Sequence, residues 1–233
     1  MMRSIFFKFF FFLGIVLICI IFLPALFLPK KIILFGGRMM GYWCKICLKF
    51  FLSTKISLLG KENIIYDKKF FIVSSHQSMF ETFYLQTIFN NPVFILKKEL
   101  LKIPIFGWYL KKIGSISIDR NKINKENLSF VDQVSNIAKN TSRPIIIFPQ
   151  ATRTEPLDRI AFKKGAARIY ENLNIFCQPV AINSGFVWPK NGFMIPNKSI
   201  VISVLKPIEP GLDKTEFLKL VENSIYSELD KIN

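Results

Sequence analysis

The sequence predicts an α/β fold, a mostly parallel central sheet flanked by helices, preceded by an N-terminal hydrophobic two-helix membrane anchor. Three observations carry this expectation. After about Gly60, short β-branched runs alternate with helix-length stretches, the pattern of a largely parallel sheet with crossover helices. Residues 9–28 contain no charge at all. The chain has 233 residues, 51% of them hydrophobic, which suffices for one compact core plus an appendage. The expected division is residues 1–60 for the anchoring helices and 61–233 for the α/β domain.

At about 1.5 Å per residue, the segment 9–28 reaches roughly 30 Å, the thickness of a bilayer's hydrocarbon core. Arg3 and Lys8 precede it, as in a secretory leader. However, Pro24 interrupts the run and Pro29-Lys30-Lys31 follows where a small-residue cleavage site would stand, so the segment is read as retained. Residues 32–52 form a second apolar stretch punctuated by Arg38, Lys45 and Lys49. Lys45 and Lys49 share one helical face, and Trp43 and Cys47 another, as expected of a helix lying among lipid headgroups. Basic residues are more numerous on the C-terminal side of the first segment, which places the rest of the chain at the cytoplasmic face of a membrane.

The charge balance supports a membrane surface. The net charge is +16, and residues 1–60 supply half of it through Arg3, Lys8, Lys30, Lys31, Arg38, Lys45, Lys49 and Lys55, with no acidic residue. Hydrophobic and cationic segments side by side suit anionic lipid. No zinc-finger spacing, basic zipper or RNA-recognition aromatic motif is present, so membrane lipid is the expected partner and nucleic acid is not. Cys44 and Cys47 stand three apart, but neither Cys19 nor Cys177 completes a second pair, and no metal is expected.

Strands are expected at 70–74, 115–119, 144–148, 179–183 and 200–205, and helices at about 78–90, 98–112, 124–140, 163–173 and 213–230. Four strands run into unusual residues: Ser75-His76, Asp119-Arg120, Pro149-Gln150-Ala151-Thr152-Arg153, and Asn183-Ser184-Gly185. Ligands of open α/β sheets bind beyond the strands' carboxyl ends, so parallel strands would bring these residues to one edge.

His76 is the only histidine. His76 and Glu81, five apart, cannot share one face of a regular helix; they meet only if His76 precedes the helix and folds back. The serines around it would permit that by capping. Glu81 could then fix the ring while its other nitrogen takes a hydroxyl proton. Arg120 and Arg153, with Lys97 and Lys98 upstream, suit a phosphate, since a guanidinium donates two parallel hydrogen bonds. No Gly-rich run precedes a Lys-Ser or Lys-Thr pair, so this is not a nucleotide P-loop.

These blocks resemble those of the 1-acylglycerol-3-phosphate acyltransferase family within the glycerolipid acyltransferase superfamily. The His-x4-acid motif stands at His76 to Glu81, and the Gly-x-x-x-Ile-Asp-Arg block at Gly114 to Arg120. The third block is Phe148-Pro149-Gln150-Ala151-Thr152-Arg153, and the fourth runs from Pro179 through Asn183 to Ser184. The resemblance implies that His76 is a general base oriented by Glu81. It also implies that Arg120, Arg153 and Lys98 bind an acceptor's phosphate, with Pro149, Gln150, Thr152, Asn183 and Ser184 in support. The implied reaction acylates lysophosphatidic acid from an acyl thioester on coenzyme A or acyl carrier protein, without a cofactor. Glu81, Gln150 and Ala151 depart from the family's Asp, Glu and Gly. Acylation of another lysolipid, and a non-catalytic basic membrane scaffold, are the competing readings.

Overall fold

The computed structural model describes residues 1–118 and 126–233, with side chains of the latter segment from residue 130. Strands β1 (Lys55–Leu59), β2 (Phe70–Ser74), β3 (Val93–Lys97), β4 (Ile116–Ile118), β5 (Ile145–Ile147), β6 (Phe176–Ile182) and β7 (Ser199–Val204) form one sheet in the order β1-β7-β6-β2-β5-β3-β4. Neighbours pair in parallel except β6 and β7, which run antiparallel. The sheet thus takes in Lys55–Leu59, just ahead of the boundary at residue 60 drawn from the sequence.

Helices cover both faces: α1 (Met2–Ile21), α2 (Lys30–Leu52), α3 (Phe80–Ile88) and α4 (Phe106–Lys112) lie on one, and α5 (Glu126–Asn140), α6 (Gly165–Leu173) and α7 (Lys214–Ile232) on the other. The alternation of strand side chains explains the two layers. Ile72 of β2 packs with α1–α4, while Phe71 and Val73 pack with α5–α7. α7 begins where Asp213 caps it, its carboxylate accepting from the amides of Thr215 at 2.7 Å and Glu216 at 3.2 Å. α2 ends at Ser53, whose left-handed backbone (φ 53°) closes the helix.

The expected helix at 98–112 is broken. Lys98–Lys102 forms a short 3₁₀ turn, and α4 starts only after Ile105, which follows Pro104 and takes φ 62°, a value a β-branched residue rarely adopts.

The two-helix anchor is supported in part. Among the described residues, α1 is the one helix long and apolar enough to cross a bilayer. α2 is not, because Arg38, Lys45 and Lys49 recur along it. Both helices also belong to the domain's packing. Phe7, Phe11, Ile15 and Ile18 of α1 bury against the body, and Phe7 and Phe11 each meet Trp188 edge-on at 5.1 and 5.2 Å. Trp43 of α2 donates its indole N–H to the carbonyls of Phe10 and Phe11, both at 3.3 Å, where a Cβ on Gly14 would sit 2.0 Å from Trp43 Nε1. The opposite side of α1 is exposed hydrophobe: Phe6, Phe9, Leu13, Val16, Leu17 and Ile20.

Candidate active site

β2, β5 and β6 lie side by side and run in parallel, so the turns after Ser74, Ile147 and Ile182 emerge at the same edge. His76 sits in the first turn, four residues before α3 begins at Phe80. The helix start therefore absorbs the five-residue spacing, and the His76 Nδ1 lies 3.4 Å from Glu81 Oε2, within ion-pair reach. The alignment falls short of a hydrogen bond, so Nδ1 is buried without one. The ring stacks on Phe148 with centroids 4.2 Å apart and planes at 19°, and its side chain is 12% exposed.

Glu81 is completely buried, and its neighbours explain how a carboxylate is tolerated there. Oε1 accepts from the amide of Gln77 at 3.2 Å and of Ser78 at 3.3 Å; Oε2 accepts from the Ser78 amide at 3.2 Å and hydroxyl at 3.3 Å. Ser184 Oγ also donates to Oε1. These donors come from the turn ahead of α3, where helical amides have no intrahelical partner, and from the end of β6. Ser78 Oγ, besides facing the carboxylate, accepts from the Phe80 amide at 2.9 Å.

Four further hydrogen bonds hold these turns in place. The Thr154 amide and hydroxyl donate to the His76 carbonyl at 2.9 and 3.3 Å. Gln77 Oε1 accepts from the Gly185 amide at 3.0 Å. Pro149 presents its carbonyl to the Lys163 amide at 2.9 Å, closing the loop between them. Gln77, Phe148 and Thr154 were not singled out from sequence for these roles; Gln77 and Phe148 lay inside the quoted blocks, and Thr154 was hidden just past one.

His76 opens onto a cavity of ≈ 660 Å³ that runs between α2, α3 and α4 to the end of α1. Its deep walls are apolar, including Ile18, Phe22, Ile33, Phe83, Tyr109 and Ile113, whereas Lys97, Thr152 and Arg153 lie with His76 in its lining. The Tyr109 hydroxyl donates to the Cys19 carbonyl at 2.6 Å and Lys112 Nζ to that of Leu26, so α4 pins the end of α1 over the cavity.

The other residues named from sequence distribute as follows. Arg153 lines the cavity and makes no hydrogen bond or ion pair with the described residues. Lys98 is exposed and does not line it; its neighbour Lys97 does, at 3.0 Å from Glu99. Arg120 and Asp119 lie outside the described residues. Asn183 faces away from the histidine, accepting from the Val201 amide at 2.7 Å and donating to the Ile232 carbonyl at 2.7 Å, so it ties β7 and α7 to β6. Gln150 is buried with Oε1 unpaired. Its side chain meets Tyr226 of α7, whose hydroxyl burial pushes above the usual tyrosine range while the Gln150 contact pulls it down. Ala151 takes φ 60°, so the position does require the left-handed backbone that glycine adopts freely.

Comparisons with known proteins identify the family and the fold. Residues 55–183 match the family model described as Acyltransferase, from β1 to the residue after β6. A 1-acyl-sn-glycerol-3-phosphate acyltransferase of Pseudomonas aeruginosa is 32% identical over 154 residues, 65% of this chain and 59% of that protein. The enzyme of the same name from Saccharomyces cerevisiae is 29% identical over 194 residues, 79% of this chain and 63% of its own length. In both cases the chain spans less than two thirds of the relative. The crystal structure of the 1-acyl-sn-glycerophosphate (LPA) acyltransferase PlsC from Thermotoga maritima superposes with a TM-score of 0.80 at 22% identity, covering 100% of this chain and 96% of that one, which shows a shared fold. Since the family model takes in more than half of the sequence, including His76, Glu81, Arg153 and Asn183, the chain belongs to the acyltransferase family.

Proposed function

We propose that the chain transfers a fatty acyl group from an acyl thioester to the free hydroxyl of 1-acylglycerol-3-phosphate, forming phosphatidic acid. The observation that carries this reading is His76, backed by a buried carboxylate, at the mouth of a long apolar cavity beside a guanidinium that has no partner among the described residues. The names of the relatives point to the same acceptor.

In this mechanism the cavity holds a fatty acyl chain and Arg153 holds the acceptor's phosphate. Arg120, in the matching block, is assigned to the same phosphate, and Lys97 replaces Lys98 as the lysine with access to the cavity. Nε2 of His76 takes the proton as the acceptor's hydroxyl oxygen attacks the thioester carbonyl. The tetrahedral intermediate collapses with loss of the thiolate, which recovers the proton from the imidazolium. Glu81 remains ionised and stabilises the imidazolium while it exists; its 3.4 Å separation from Nδ1 can tighten as the substrate seats. The amides of Thr152 and Arg153, which make no hydrogen bond with the described residues, are suited to the oxyanion, a role contributing about 3 kcal/mol when well aimed. No acyl-enzyme is required.

The exposed hydrophobic side of α1 and the outward residues Phe35, Met39, Tyr42 and Ile46 of α2 support a membrane location. Because α1 lies along the body, this reading places both helices in one leaflet at the cytoplasmic face, with the acceptor drawn from the same leaflet. The test is direct: purified protein in detergent, given lysophosphatidic acid and an acyl thioester of either coenzyme A or acyl carrier protein, should yield phosphatidic acid by mass spectrometry. Acylation of other lysolipids with no activity on lysophosphatidic acid would sink the assignment of the acceptor, and no acylation at all would sink the assignment of the reaction.

A further inference from the structure

A second groove, of ≈ 490 Å³, lies at the opposite end of the strands, where Phe70 begins β2 and Pro144 precedes β5. It uses none of the residues assigned above to the reaction. Its charged lining is Arg38, Lys68 and Lys69 against Asp67, three cations to one carboxylate. Arg38 is half-buried on α2 and makes no hydrogen bond or ion pair with the described residues. With three cations to one carboxylate the groove carries a net positive charge, and the fork of a guanidinium matches phosphate.

The two lysines are positioned by other contacts that leave donors over. Lys68 Nζ sits 4.6 Å from the centre of the Phe176 ring, and Lys69 Nζ donates to the Ala138 carbonyl at 3.0 Å. An ammonium carries three N–H groups, so each lysine can still serve an anion. Tyr42, four residues on from Arg38 along α2, lines the groove and is also part of the exposed stripe Phe35-Met39-Tyr42-Ile46. Apolar stripe and basic groove are therefore adjoining flanks of one helix.

We infer that this groove binds the phosphate of an anionic phospholipid whose acyl chains lie along the outward stripe of α2. A lipid is favoured over free phosphate because the groove opens beside that exposed hydrophobic surface rather than facing water on all sides. The site goes beyond acyl transfer and rests on the proposed function only in placing α2 at a membrane. Gln86 lines both this groove and the cavity reached from His76.

The full chain in neutral detergent, carrying Arg153→Gln to weaken the catalytic phosphate position, would be titrated with phosphatidylglycerol or phosphatidylcholine. Retained lipid would be counted by native mass spectrometry. Phosphatidylglycerol should be retained in preference, Arg38→Gln with Lys68→Gln should weaken retention about tenfold, and Asp67→Asn should strengthen it. With Arg153 intact, the Arg38→Gln/Lys68→Gln protein should keep its acyl-transfer rate in neutral detergent. Equal retention of both lipids, or retention unaffected by these substitutions, overturns the inference. Displacement of phosphatidylglycerol by millimolar inorganic phosphate would reassign the groove to the free anion and overturn its lipid occupant. None of the retention readouts needs acyl transfer, so failure here and failure of the proposed reaction are separately visible.

Discussion

Ser184→Ala tests how the buried carboxylate is held. Ser184 Oγ donates to Glu81 Oε1, and Ser78 Oγ lies 3.0 Å from Ser184 Oγ and 3.3 Å from Glu81 Oε2. A hydrogen bond to a charged group is worth about 1.5–3 kcal/mol net. The loss should fall at the low end, because the single Ser78 hydroxyl proton, otherwise shared between two acceptors, can then turn wholly to Glu81. About 1.5 kcal/mol corresponds to a Tm lower by roughly 3–6 °C in a chain of this length. Looser support of Glu81 should also lower kcat about tenfold, since about 1.4 kcal/mol of transition-state stabilisation is one decade. Removing both hydroxyls strips the compensation, so the double variant should lose about 3 kcal/mol or more, exceeding the sum of the single variants. Thermal melts in detergent and initial rates would be measured on all three proteins. Strictly additive effects, or a Ser184→Ala protein with wild-type kcat and Tm, would refute this view of how the carboxylate is supported.

Arg143 donates to the carbonyls of Asn91 and Ile113, each at 2.6 Å, and of Pro92 at 3.1 Å, while burial lowers its pKa. Arg143→Met should cost about 3 kcal/mol by stranding those acceptors, read as a lower Tm with little change in KM for the protein that remains folded. Ala151→Gly should raise stability by about 0.5–1 kcal/mol, the relief of a left-handed alanine less the entropy glycine adds to the unfolded chain; a loss of stability would contradict the strain. Arg153→Ala should raise the Michaelis constant for lysophosphatidic acid more than it lowers kcat, and indifference would shift the acceptor to another lysolipid. Two backbone amides hold the Asp213 carboxyl below its usual range, so its stabilising effect is complete above the unfolded carboxyl pKa and lost as pH falls through the folded value. Asp213→Asn keeps the cap without the charge, so its stability relative to the parent should improve on acidification through that range; a constant difference would contradict this account.

Much of this was legible from sequence because strong local patterns coincide with the sheet's interior. The strand expected at 70–74 matches β2, and those at 144–148, 179–183 and 200–205 overlap β5, β6 and β7. β1 and β3 escaped notice for physical reasons. β1 is an edge strand of five residues with none fully buried, and β3 is a five-residue apolar run with a lysine at its end. Such short runs carry too little periodicity to separate strand from helix. The antiparallel direction of β7 was equally invisible, being fixed by the path of residues 183–198 rather than by its own pattern. At the site, the five-residue spacing set the condition that His76 must precede the helix to reach Glu81, and the structure places it there. Ser184's contact with Glu81 and Asn183's role in fastening α7 required the crossing of β6 with other segments, which no local pattern encodes. The Lys97–Lys98 pair shows the same limit: only the strand's end determines which lysine enters the cavity.

The claim beneath all of this is that the imidazole of His76 removes the acceptor's proton. Rates of phosphatidic acid formation by His76→Ala and parent protein, at matched folding and lysophosphatidic acid binding, test it most directly. A general base contributes about 10²–10⁴-fold, so the variant should be slower by at least about two decades. A variant within about threefold of the parent, a difference of less than about 1 kcal/mol, would contradict the account.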